Sequence, residues 1–173
     1  MPAAVNDRGR GQDYVKGVPK VKLAEALAAR ADAQRRLEEL RTRIRDNATH
    51  QEGEDPAEDA NALLQEAERI AAELTVLVRR INATNATTLV EGVGTITDAI
   101  AERDGLSARR KLLADAAASA TGRGSFRVIR SELRMVSALD VPELRRRADD
   151  LARRRRELDL RIQEADWTTD VAE

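Results

Sequence analysis

Residues 55–81 read DPAEDANALLQEAERIAAELTVLVRRI, and their period decides the fold class. Leu63, Ala67, Ile70, Leu74, Leu77 and Ile81 recur in alternating steps of four and three. A helix turns once in about 3.6 residues, so this spacing gathers all six on one stripe, the pattern of a left-handed coiled-coil seam. The start is signalled as well. Asp55 can cap, Pro56 suits the first helical position because it needs no hydrogen bond there, and Glu58 stands where a capping box places its acid. The stretch predicts a helix over 57–82 with a neighbour along its whole length.

The same period recurs on either side. Leu23, Ala26, Ala33, Leu37, Leu40 and Ile44 outline a first helix that ends near Asn47, and ATHQEGED at 48–55 reads as the connection. Beyond the second helix, ATNATTLVEGVGT at 83–95 breaks the period with β-branched residues and two glycines, which suits a loop or a short ribbon. Thr95 and Asp98 form a second capping pair, leading into a third helix that carries Ile96, Ala99, Leu106 and Leu113 to about Ala120. After TGRGS, the segment Phe126–Val136 can form a short strand able to pair with 88–95. Asp140, Pro142 and Glu143 then open a fourth helix with Leu144, Ala148, Leu151, Leu158, Ile162 and Ala165 on its seam. The expectation is an all-α fold of two antiparallel helical hairpins, 20–47 with 57–82 and 96–120 with 141–166, packed like a coiled coil and accompanied by a short two-stranded ribbon. Residues 1–19 read as a mobile tail, 20–169 as one helical domain and 170–173 as a C-terminal tail.

Composition agrees. Of 173 residues, 42% are hydrophobic but only 2% aromatic, and Ala alone supplies thirty of them, so the apolar content is of the small, helix-forming kind. Thirty basic side chains face thirty-one acidic ones. A formal charge of −1 gives no general attraction for nucleic acid or an anionic membrane, and neither is expected as a partner. The arginine runs at 145–147 and 153–156 look like an exception, yet residues 141–166 hold eight Arg against seven acids, in keeping with a salt-bridged helix face. The absence of cysteine excludes a thiolate nucleophile or a thiolate-bound metal. No long uncharged apolar run and no apolar leader are visible, so a cytoplasmic protein is expected.

Candidate chemistry is sparse. His50, the sole histidine, stands in an acidic loop with Glu52, where a metal site would need further ligands; solvated loop and cap residues account for the cluster. Asn82 and Asn85 sit in a run of Asn and Thr that most simply marks a helix end, with a polar binding site as the alternative. Arg30 and Arg155 occupy seam positions, where a charged residue either fixes register and oligomer state or snorkels to water. Trp167, just past the fourth seam, suits an anchor at a helix end or interface. No nucleophile with an oriented base is visible, and no catalytic residue, metal or cofactor is assigned.

Five stretches together, VKLAEAL at 21–27, QEGEDPAED at 51–59, RINATNATT at 80–88, RSELRMV at 130–136 and ADDLARRRRELDLRIQEADWTT at 148–169, resemble a family of small bacterial proteins often labelled septicolysin. The resemblance implies a helical fold and, through its label, a cytolysin. It implies Trp at 135 and Asn at 166, where this chain has Met135 and Asp166. The residues themselves favour a non-enzymatic helical protein that associates with itself or with another helical protein. The alternative is a ligand- or metal-binding enzyme or sensor with its site at a bundle end. Membrane lysis, which needs a broad apolar face, fits the densely charged helices least.

Overall fold

The computed structural model describes residues 20–121 and 136–172. It contains four helices, α1 (Leu23–Asn47), α2 (Ala60–Thr87), α3 (Ile96–Ala120) and α4 (Val141–Thr168), and two short strands, β1 (Leu89–Val90) and β2 (Gly94–Thr95). α1 packs on α2 and α3 on α4, giving the two expected antiparallel hairpins. The longer helix of each has 28 residues, about 42 Å at 1.5 Å per residue. The segments 1–19 and 126–135, read from sequence as a tail and part of a strand, lie outside the described residues.

The helix starts follow from side-chain chemistry. In α3 the box is as read: Thr95 Oγ1 accepts from the Asp98 N–H at 3.2 Å, and Asp98 Oδ2 accepts from the Thr95 N–H at 2.9 Å. The Thr95 hydroxyl also donates to Asp98 Oδ2 at 2.7 Å, and this bond, ahead of the one from the Thr95 N–H, holds the Asp98 carboxyl below its ordinary range. Asp140 likewise caps α4 by accepting from the Glu143 N–H at 3.0 Å. α2 differs. It begins at Ala60, capped by Asp59 through the N–H groups of Asn61 and Ala62, not by Asp55. Glu58 is engaged elsewhere, because its carboxylate pairs with Arg43 of α1 and its N–H donates to Asn47 Oδ1.

α2 also runs past its expected end. Asn82 and Asn85 do not terminate it; the helix continues to Thr87 because Thr84, three residues beyond Ile81, carries the buried stripe onward. The Thr84 hydroxyl donates to the Arg80 carbonyl at 2.8 Å and accepts from the Ala172 N–H at 2.9 Å, so its burial costs no unpaired group. β1 then pairs antiparallel with β2. The 88–95 segment thus supplies both strands of the short ribbon, while the partner considered for it, 126–135, lies outside the described residues. Its turn depends on glycine. Gly94 has φ +132, and a Cβ there would come within 2.8 Å of Asp98 Oδ2, striking the acid of the α3 capping box.

The two hairpins meet at a joint. Leu23 and Ala26 of α1, Ile81 of α2, Ile96 and Leu106 of α3, Leu158 and Ile162 of α4, Val90 of the ribbon and Val171 form one buried cluster there. Residues 170–172, read from sequence as a tail, fasten it. Leu23 N–H donates to the Thr169 carbonyl, Val171 N–H to the Val21 carbonyl, and Arg80 Nε to the Ala172 carbonyl at 2.7 Å. Lys22 adds an ion pair to Asp170 at 2.7 Å, whose carboxyl is held below its ordinary range by that bond. A second cluster, Leu40, Leu63 and Ile70 with Leu37 and Ile44 against it, lies out along the α1–α2 arm.

Candidate functional site

The most distinctive surface is apolar. Leu160 and Trp167 of α4 are each 66% exposed, and at seven residues apart they share one face of the helix. Leu89 on the ribbon and Leu112 on α3 are also exposed. A folded chain normally covers side chains of this size when a core is within reach, and α4 instead turns its Leu151, Leu158 and Ile162 inward. Trp167 is thus left mostly open at the end of α4. An exposed indole is a side chain enriched in interface hot spots, and here an exposed leucine lies two turns away on the same face.

The residues singled out by sequence lie apart. His50 and Glu52 are exposed in the α1–α2 connection, while Asn82 and Asn85 lie near the far end of α2. The 22 residues from Ala60 to Asn82 span about 33 Å, so one chain does not bring the two pairs together. Asn82 is exposed. Asn85 is half-buried, and its Oδ1 is enclosed without a hydrogen-bond partner among the described residues. Among the described residues no group of three or more His, Asp or Glu is close enough to hold a metal ion.

The two seam arginines differ. Arg30 is half-buried on α1 between Ala26, in the joint cluster, and Ala33, against the arm cluster, so it interrupts what would otherwise be one continuous apolar seam. Arg155 is not enclosed within the chain: its side chain is 46% exposed and pairs with Asp159 at 3.4 Å, one turn on. Asp159 in turn lies 3.9 Å from Arg103 of α3, so the carboxylate serves both helices of that hairpin.

Sequence reading missed the clefts between α3 and α4. One face of this hairpin carries a cleft of about 260 Å³ lined by Arg109, Leu112, Arg147, Asp150 and Arg154. Another, of about 320 Å³, is lined by Arg110, Ala114, Ala117, Ala118 and Arg145. Periodicity marks the residues that pack, and no local signal marks the gaps left where a seam is lined by alanine.

A family model described as a family of unknown function, DUF6847, matches residues 30–171. The chain belongs to that family. A solved crystal structure of a functionally unknown conserved protein from Corynebacterium diphtheriae is similar to it, with 41% sequence identity, a TM-score of 0.82, and coverage of 88% of this chain and 99% of that one. No curated protein matches. Neither description mentions cytolysis, so the septicolysin label read from the sequence resemblance finds no support. No helix among the described residues is long and apolar enough to cross a membrane.

Proposed function

We propose that this DUF6847 protein is a non-catalytic helical scaffold that works by associating with copies of itself, with the outer face of α4 as part of the contact. The observation that carries this reading is the pair Leu160 and Trp167, two large side chains left open on one face of a helix whose opposite face is fully used. Covering side chains of this kind contributes at most about 1.5–3 kcal/mol each against an association cost of about 4–15 kcal/mol, so other contacts must join them. The same face could serve another helical protein, which keeps the role that of an interaction surface.

Trp167 is the one tryptophan in the chain, so it reports on its own surroundings. Its emission should move to the blue as the protein is concentrated from nanomolar to micromolar, in step with a rise of the light-scattering mass above 19.1 kDa. Trp167→Ser and Leu160→Ser should each weaken association while leaving the helical circular dichroism unchanged. A 19.1 kDa species with water-exposed tryptophan emission at every concentration would refute the proposal.

A further inference from the structure

The two hairpin arms carry opposite charge. Residues 31–73 of the α1–α2 arm hold twelve acidic side chains against six basic ones, whereas the described residues 107–121 and 136–157 of the α3–α4 arm hold ten basic against six acidic. These stretches carry net charges of −6 and +4. Such segregation is costly within each arm, since like charges at helical neighbour spacing repel.

Within one chain the two arms do not satisfy each other. Among the described residues, the ion pairs that link one hairpin to the other are those of Lys20 and Lys22 with Asp170, at the joint. Further out, every pair stays inside its own arm, as Arg36 with Glu66, Arg43 with Glu58, Arg146 with Glu143 and Arg153 with Asp150 do. Several side chains are left over. Glu39, Asp46 and Glu68 on the acidic arm are exposed with no ion pair among the described residues, and so are Arg109, Arg147 and Arg154 around the α3–α4 cleft.

We infer that the acidic α1–α2 arm of one copy lies along the α3–α4 cleft of a second copy, an inference that rests on the self-association proposed above and names its geometry. Charge complementarity identifies the occupant. The arms match in length, each built from one helix of 25 and one of 28 residues, so their fields can oppose each other over most of a helix. Arg109, Arg147 and Arg154 supply planar donors for carboxylates, and Leu112, 69% exposed beside them, supplies an apolar contact for the stems of Glu and Arg side chains. A nucleic acid is disfavoured by the acidic arm carried on the same chain and by the lack of an aromatic side chain among the described residues 107–121 and 136–157 of the basic arm. Pairing of unlike patches closes as a two-fold dimer if each copy both gives and receives an arm, and as a ring or filament otherwise.

Charge exchange tests it. One variant carries Arg109→Glu, Arg147→Glu and Arg154→Glu; the other carries Glu39→Lys, Asp46→Lys and Glu68→Lys, all at exposed positions whose helical circular dichroism should match wild type. Each alone should associate at least about tenfold more weakly than wild type, roughly 1.4 kcal/mol, and an equimolar mixture should regain a mixed complex by light scattering. Wild type should itself dissociate between 50 mM and 500 mM NaCl, and that series decides the matter even if a variant fails to fold. A wild-type oligomer indifferent to salt and to both triple changes would overturn this arm pairing and leave the apolar α4 contact standing. A monomer at low salt would remove both. Salt-sensitive binding of a mixed-sequence DNA duplex, lost in the arginine variant and unaccompanied by self-association, would assign the basic arm to polyanions and overturn the inference.

Discussion

The two arms share a blueprint and differ in how they close. The α1–α2 arm has its own core of Leu40, Leu63 and Ile70, and Arg36–Glu66 and Arg43–Glu58 bridge its helices. At the corresponding distance from the joint, the α3–α4 arm buries Ala117 and Ala148, and its outer ion pairs, Arg146–Glu143 and Arg153–Asp150, run along α4 without crossing to α3. An alanine covers far less area than a leucine, so the second arm gains little from closing on itself and keeps clefts along its seam. The outer part of one hairpin closes on leucine and isoleucine, and that of the other on alanine.

The largest effect should come from emptying the arm that closes on leucine and isoleucine. Leu40 is 1% exposed, and Leu40→Ala should cost about 2–5 kcal/mol by lost transfer energy and cavity formation. The matching change in the open arm, Ala148→Gly, should cost only about 1 kcal/mol, most of it helix propensity. Urea unfolding with hydrogen exchange resolved by arm checks both. Equal costs would break the comparison, since they would mean that the α3–α4 seam is as tightly packed as its twin.

Next comes the joint, on which both arms depend. Gly94→Ala forces a side chain into φ +132 and against Asp98 Oδ2, so it strains the ribbon and disturbs the start of α3 together. A loss of about 1–3 kcal/mol is expected, with protection falling in both arms. Loss confined to α3 and α4 would show that the joint couples the arms less than its shared core implies.

Filling the open arm should act in the other direction. Ala114 lines the cleft formed with Ala117 and Ala118, and Ala114→Leu should raise stability by about 0.5–1 kcal/mol as its methyl groups occupy that space. Within the inferred assembly the same leucine would leave the Arg109 side of the hairpin untouched. A fall in stability would show that the cleft is too open to cover the new side chain.

Most of this architecture was legible in the sequence because it rests on local signals. The Thr95–Asp98 box and the Asp140 cap fix the starts of α3 and α4 within a few residues, and the period at Leu63–Ile81 fixes the α1–α2 seam. What stayed hidden depended on residues far apart in the chain. Asp59 replaces Asp55 as the cap because Glu58 is drawn to Arg43, fifteen residues earlier, and α2 outlasts its Asn-Thr run because Ala172 gives Thr84 a partner 88 residues away. Of the candidate site, Trp167 drew notice as an anchor at a helix end or interface, and the structure leaves it 66% exposed, but the clefts between α3 and α4 appear only once the helix pairs are known. No local window reports them.

The smallest effect concerns two carboxyl groups displaced in opposite directions. Glu58 is held below its ordinary range by the Arg43 guanidinium, so it stabilises the α1–α2 arm above its unfolded-state value, and that help is lost as pH falls through the folded value. Asp166 is half-buried near the end of α4, without an ion pair among the described residues, and burial pushes its carboxyl up. Its charged form therefore opposes folding at neutral pH, and the penalty disappears as pH falls below the unfolded-state value, where the group is protonated in both states. Asp166→Asn should accordingly raise the melting temperature at pH 7 by about 1–2 °C, a small figure because the group is still partly solvated, and the gain should vanish near pH 3. Glu58→Gln should lower the melting temperature at pH 7 and likewise converge on wild type in acid. The two difference curves would then mirror each other about zero. If Asp166→Asn instead lowers the melting temperature at pH 7, and only at concentrations where the protein associates, the carboxylate is meeting a cation of the neighbouring copy, and the joint as well as the arms takes part in the contact.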